Sequence, residues 1–180
     1  AMATQLRNTP LNFTWPEEGY TRVPYWVYSS PEIYLREMDV IFGGPAYSFI
    51  GLECEIPNTG DFRQTKVGDK PVIFTRDKQG TIRALLNVCR HRGALVCRER
   101  EGNARQFFCI YHGWAYNTDG SIKGIPGDDA YPPNYDKKGK GLVPVPRLEH
   151  YKDFYFVNFD KDAQDLHTYL ARAKDYIRSE

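Results

Sequence analysis

The chain has 180 residues, 41% of them apolar and 26% charged, a balance that suits one globular unit with a core and some extensions. A formal net charge of +1 provides no general field for nucleic acid or anionic lipid, and no apolar run approaches the length of a membrane span. No secretory leader is expected, and two of the four cysteines, Cys54 and Cys97, lack framework spacing, so a reducing, cytoplasmic compartment is expected.

Residues 1–45 read as an arm and a capped helix. Thr4 to Pro24 is polar and interrupted by Pro10, Pro16 and Gly19, and the aromatic run from Tyr20 to Tyr28 is expected to anchor it. Ser30-Pro31-Glu32 is a helix start: a capping hydroxyl, a first-turn proline and a carboxylate at the positive end of the dipole. Tyr34, Met38, Ile41 and Phe42 recur at helical spacing, and Gly43-Gly44-Pro45 ends the run, which predicts a docking helix. The period then changes. Short strands are predicted over residues 46–52, 62–67, 71–76 and 81–88, with Asp77-Lys78-Gln79-Gly80 as a hairpin turn.

The last of these strands runs into Cys89-Arg90-His91-Arg92-Gly93, and a later segment reads Cys109-Ile110-Tyr111-His112-Gly113-Trp114. Each half supplies one thiolate and one imidazole. Two soft anionic and two borderline neutral ligands converging from two loops define a transition-metal site, for either a two-iron cluster or zinc. Zinc modules usually group a Cys pair and then a His pair. Here Cys and His alternate, and that suits a cluster in which one iron keeps two Cys and the other takes two His. The plain alternative is two buried thiols and two ordinary histidines.

The second clamp has strands on either side, Gln106 to Phe108 and Trp114 to Tyr116, and Asp119-Gly120 turns the chain into Ser121-Ile122-Lys123. Each ligand pair is thus expected at a hairpin tip. Gly124 to Gly127, containing Pro126, is a turn, and residues 128–141 form a turn-rich loop carrying Lys137, Lys138 and Lys140. A strand over 153–159 closes the sheet. Residues 163–177 are predicted to form one amphipathic helix with Leu166, Tyr169, Leu170, Ala173 and Ile177 on one side, running into Arg178-Ser179-Glu180 without a stop signal. His150 and His167 are expected to face solvent.

The paired Cys-x-His-Arg-Gly and Cys-x-x-His-Gly-Trp motifs resemble the Rieske iron–sulfur family. With the leading arm, the capped helix and the trailing strand and helix, nearly the whole chain resembles the amino-terminal part of the α subunit of aromatic ring-hydroxylating oxygenases. The phrases Arg22-Val23-Pro24-Tyr25-Trp26 and Glu55 to Phe62 look more like the branch acting on aromatic acids such as salicylate, anthranilate and terephthalate than the naphthalene or biphenyl branch.

That resemblance implies a mainly β Rieske fold over residues 46–160: antiparallel sheets, two cluster-binding hairpin loops, an N-terminal helix, and a C-terminal helix over 161–180 that leads toward a catalytic domain outside this chain. It implies a [2Fe-2S] cluster on Cys89, His91, Cys109 and His112. High-potential relatives join the two loops by a disulfide, at positions occupied here by Ala94 and Tyr111, and place a serine donor where Trp114 stands. Tyr116 keeps a hydroxyl. A potential toward the bottom of the Rieske range, roughly −150 mV, is therefore expected. Arg92 is expected to orient the first loop, or else to form a surface salt bridge, and Pro126 is expected on a loop covering the cluster. The free nitrogens of His91 and His112 are expected to face outward as the electron exit.

The implied partners are a reductase or ferredoxin donor, for which the lysine loop is one candidate contact, and neighbouring α subunits in a trimer, with or without a β subunit. A mononuclear Fe(II), held by two His and a carboxylate in the further domain, would act on an aromatic substrate. Once His91 and His112 are used, only His150 and His167 remain, so this chain by itself is expected to carry electrons and to contain no catalytic residue. A free-standing Rieske ferredoxin and a zinc-stabilised module are the competing readings.

Overall fold

The chain was analysed as a computed structural model that describes residues 13–17 and 19–177, the Tyr20 side chain excepted. The arm before Phe13 and the unstopped Arg178-Ser179-Glu180 end lie outside the described residues. Trp26 anchors this end of the chain, stacked on Phe13 at 4.5 Å and edge-on to Trp15 at 5.7 Å. It belongs to a short helix, α1 (Tyr25–Ser29), that the aromatic run did not announce. Contrary to the anchoring expected along that run, Tyr25 is 90% and Tyr28 77% exposed.

The capped helix forms as α2 (Pro31–Val40), with Pro31 in its first turn and the Ser30 hydroxyl accepting from the Ile33 N–H at 3.3 Å. Its buried contact is Ile33, while Tyr34 and Ile41 of the expected stripe are exposed. Met38 and Phe42 sit over Gly68, where a Cβ would come within 2.9 Å of either side chain.

Among the described residues ten strands make three antiparallel sheets. β1 (Ser48–Leu52), β10 (Phe154–Asn158) and β9 (Arg147–Tyr151) lie in the order β1-β10-β9. β4 (Ile82–Leu86), β3 (Lys70–Arg76), β2 (Asp61–Val67) and β5 (Glu101–Asn103) form a sheet in that order, and β6 (Gln106–Phe108), β7 (Ala115–Asn117) and β8 (Ile122–Gly124) form the third. β5 and β9 had no sequence signal, because Glu-Gly-Asn and Arg-Leu-Glu-His-Tyr carry little apolar alternation. The predicted Asp77 turn closes β3 onto β4. Its buried carboxylate accepts from the Gln79 and Thr81 amides, both at 2.9 Å, and from Arg83 at 2.9 Å.

β3 divides the interior by its period of two. Ile73 joins a core formed with Phe62, Leu85, Phe107, Trp114 and Tyr116, whereas Val72 and Phe74 face a second core with Ile50, Ile56, Tyr155 and Val157. The first core contains Cys89 and Cys109, so the candidate ligands grow out of packed hydrophobic structure. The segment around Leu142 to Val145 locks the sheets together. Leu142 N–H donates to Gly120 O at 2.7 Å, while Leu86 N–H donates to Val143 O and Val145 N–H to Ala84 O.

The single helix predicted over 163–177 is not observed. α3 (Leu166–Leu170), capped by Asp165, ends at Ala171, whose backbone turns to φ +44°, and a 3-10 stretch (Ala171–Asp175) comes next. Only Leu166 of the intended stripe is buried, and Tyr169 is partly exposed, so little packing supports a longer helix. Glu149 on β9 holds this end in place. It accepts from Tyr47 Oη at 2.5 Å, from Arg147 at 2.7 and 2.9 Å, and from the Leu166 amide at 2.9 Å.

Burial, then the bond to Glu149, pushes the Tyr47 phenol up to about 12. Burial pushes Glu149 up too, but the bonds from Tyr47, Leu166 and Arg147 outweigh it and hold the carboxyl below its ordinary value. The raised phenol contributes stability below pH 10 that is lost as pH rises through about 12. The depressed carboxyl contributes stability above its unfolded value that is lost as pH falls through the folded one. Tyr47→Phe is expected to lower stability by about 1.5–3 kcal/mol at neutral pH. Denaturant midpoints measured against pH should decline less steeply between pH 10 and 12 in this variant and show a shallower acid limb.

Candidate metal centre

Two turns of the same construction carry the four candidate ligands. In the first, Cys89 N–H donates to Ala94 O at 2.8 Å and Gly93 N–H to Cys89 O at 2.9 Å; in the second, Cys109 N–H donates to Trp114 O and Gly113 N–H to Cys109 O, both at 2.9 Å. Both turns require a left-handed residue at the same place, and glycine fills it, at φ +74° for Gly93 and +71° for Gly113. The second turn is the tip of the β6–β7 hairpin, as expected. The first differs from expectation. It lies within a crossover from β4 to β5, at opposite edges of the four-stranded sheet, and only its local turn is hairpin-like.

The crossover is held by a residue that sequence reasoning missed. Asn87 is fully buried, its side-chain N–H donates to Cys97 O at 2.7 Å, and its oxygen accepts from the Val96 and Cys97 amides at 3.1 and 2.8 Å. The available signal was an amide side chain closing an otherwise apolar strand two residues before a candidate ligand. Arg92, expected to orient this loop, is exposed and makes no hydrogen bond or ion pair among the described residues.

The ligand atoms converge. Cys89 and Cys109 are buried, and the rings of His91 and His112 lie 4.5 Å apart at 72°. Among the described residues His91 Nδ1 is buried with no hydrogen-bond partner. An orphaned buried polar atom costs about 1–3 kcal/mol, and a bond to a metal would remove that cost. Burial pushes the Cys109 thiol up, the amides of Tyr111 and His112 pull it down, and the neighbouring Cys89 raises it again. Burial and the neighbouring sulfur thus disfavour the Cys109 thiolate, and positive charge placed beside it would favour that form. Desolvation at the tip, then the nearby His91 and Arg92, hold His112 below the ordinary imidazole value, in the neutral form that ligates. A two-iron core takes two Cys on one iron and two His on the other, and the donor types present fit such a core.

Tyr116 lies beneath the first turn, fully buried, with its oxygen 3.1 Å from Cys89 Sγ. The Arg90 amide donates to the same oxygen at 3.1 Å, and toward a thiolate at Cys89 the phenol would be the donor. Burial, and then the adjacent sulfur, push this phenol far above its usual value, so it remains a donor. Trp114 is 2% exposed and packs against His91. Pro126 packs on the second turn, where a Cβ on Gly113 would come within 2.9 Å of its ring. Lys137 is paired with Asp128 at 2.7 Å, and Lys140 lies over Tyr135 at 5.3 Å. His150 and His167 are exposed, as expected, on elements away from the turns.

The description of the Rieske [2Fe-2S] domain matches residues 47–149. The chain belongs to the Rieske [2Fe-2S] domain family. This Rieske domain is 42% identical over 161 residues to the large subunit of anthranilate 1,2-dioxygenase from Burkholderia cepacia, covering 86% of the chain and 38% of that protein. It is equally identical, 42% over 161 residues, to the α subunit of biphenyl 2,3-dioxygenase from Rhodococcus jostii (strain RHA1), covering 89% of the chain and 35% of the relative. The structure of naphthalene 1,2-dioxygenase from Rhodococcus sp. superposes with a TM-score of 0.79 at 41% identity, covering 86% of this chain and 35% of that one. The chain thus spans well under half the length of these relatives. Among the described residues no helix is long and apolar enough to cross a membrane.

Replacing Asn87 with Ala leaves two amides and a carbonyl of the Rieske domain buried without partners, an expected loss of about 3 kcal/mol. Urea unfolding should register that loss, and iron content should fall while the far-ultraviolet dichroism of the sheets persists.

Proposed function

We propose that this chain is the electron-transfer domain of the large subunit of an aromatic ring-hydroxylating oxygenase, with a [2Fe-2S] cluster on Cys89, His91, Cys109 and His112. The observation that carries the ligand assignment is the buried, partnerless His91 Nδ1 set among two buried sulfurs and a second imidazole on matched turns. The assignment to an oxygenase is supported by relatives named as large or α subunits of anthranilate, biphenyl and benzene dioxygenases and as the large oxygenase component of a salicylate 5-hydroxylase. The aromatic-acid reading of the residue 22–26 and 55–62 phrases is supported by the relatives named as an anthranilate dioxygenase and a salicylate 5-hydroxylase, while the biphenyl enzyme is as identical as the anthranilate one.

When bound, the cluster supplies a one-electron couple. The surrounding residues determine how easily it is reduced and what can reach it. Tyr116 donates its proton to Cys89 Sγ, stabilising added negative charge, and its position inside the core excludes water from that side. The Tyr111 and His112 amides act in the same direction on Cys109. Pro126 closes over the second turn. On the open side His112 is exposed, beside Ile110 at 70% and Tyr111 at 60% exposure. An exposed apolar rim around a redox tip fits docking of protein partners: a reductase or ferredoxin that delivers electrons, and a neighbouring α subunit whose mononuclear iron receives them. Lys137 already has an acidic partner, which weakens the lysine loop as a donor contact. In this reading residues 1–45 dock on the cluster domain of residues 46–160, the segment from 161 leads to the catalytic domain, and the assembly works in the cytoplasm.

The test is an absorption and electron-spin-resonance spectrum of the purified chain, oxidised and dithionite-reduced, with iron, sulfide and zinc assayed together. A red-brown protein with equal iron and sulfide and a rhombic signal only after reduction is expected; a colourless zinc protein would overturn the proposal. In redox titration Tyr116→Phe should lower the midpoint potential by some tens of millivolts, each ~59 mV being a tenfold change for one electron. His112→Cys should lower it as well, through added thiolate charge. An unchanged potential in a cluster-loaded His112→Cys protein would remove His112 from the ligand set.

A further inference from the structure

The two imidazoles of the site do not have the same surroundings. The Trp114 indole lies parallel to the His91 ring, with centroids 5.1 Å apart and planes 5° from coincident. The contact joins the two turns, since His91 belongs to the first and Trp114 closes the second through its carbonyl, which accepts from Cys109 N–H. Trp114 is itself packed within the core beneath the turns and is 2% exposed. His112 has no such support. It is exposed, and its flat neighbour is the adjacent and mostly exposed Tyr111, tilted by 39°.

We propose that Trp114 is a positioning residue that fixes the plane of the His91 imidazole by stacking, so that the two histidine ligands are inequivalent: His91 is held by the fold, and His112 is free to adjust to whatever docks on the tip. Metal-bound histidines are usually oriented by a hydrogen bond to the ring nitrogen that does not bind metal. Here a rigid aromatic face provides the orientation. Offset or parallel aromatic contacts at this separation are attractive and directional, and a stack resists tilting of the ring about its Cβ–Cγ bond in a way that an aliphatic contact does not. The placement also explains a tryptophan two residues after His112. The turn geometry aims that side chain inward and across, under the ligand of the other turn.

The proposal rests on the ligand assignment above, and the experiment separates the two. Pulsed electron-spin-resonance spectra of the reduced chain should show two distinct imidazole nitrogen couplings; their absence would defeat the ligand assignment and with it this inference. Given both couplings, Trp114→Leu is expected to spread one into a broad distribution while the other stays sharp. Trp114→Phe, which retains a shorter ring, should shift the same coupling part of the way, and this second variant decides the matter if Trp114→Leu assembles no cluster. Two unchanged couplings, or two that broaden together, would reduce Trp114 to a core residue and overturn the proposal.

Discussion

Two cysteine sulfurs facing each other inside a hydrophobic core are the constraint on which the rest of this structure depends. Thiolates buried together would repel and be poorly solvated, so ionised sulfurs here would call for positive charge and donors around them. The local architecture offers such donors. The amides of Tyr111 and His112 lower the charge penalty at Cys109, and the Tyr116 hydroxyl lies 3.1 Å from Cys89 Sγ. Packed β-structure surrounds the sulfurs and keeps these donors where they are aimed.

Rigidity at the base and exposure at the tip are divided along the same line. Below the ligands, Asn87 secures the crossover loop, Trp114 and Tyr116 fill the core, and the segment around Leu142 to Val145 ties the sheet of the second turn to the sheet of the first. Above them, Ile110, Tyr111 and His112 are left to solvent. In the proposed role a site that exchanges electrons with macromolecules needs both properties, since geometry that changed with each encounter would change the energy of the electron. The polar hub at Glu149 plays the corresponding role at the other end, fastening α3 to β9 with bonds whose strength depends on protonation.

Much of the site was legible without coordinates. Ligand type and spacing are chemical requirements of a metal, and glycine after each histidine is a steric requirement of a tight turn, so both are written locally. The capped α2 and the Asp77 turn were legible for the same reason, because a hydroxyl or carboxylate bonds amides two to four residues away. Where the reading went astray, the deciding partner was remote. Tyr34 and Ile41 follow the helical period yet point outward, because the surface beneath α2 receives Ile33. The intended 163–177 helix breaks at Ala171, because its apolar stripe finds support only at Leu166.

By itself the sequence determined the candidate donors, the paired turns, the mainly β character and the resemblance that the family match bears out. These depend on residue chemistry and on contacts within a few positions. Only the tertiary structure decided that the first turn sits on a crossover, that Asn87 rather than Arg92 holds it, and that Tyr116 reaches Cys89 across 27 residues. It also decided that Trp114 lies under His91, leaving the two imidazoles unlike. Each of these depends on which strands become neighbours, and that is set by the burial of two cores against β3, a property of the whole chain rather than of any motif.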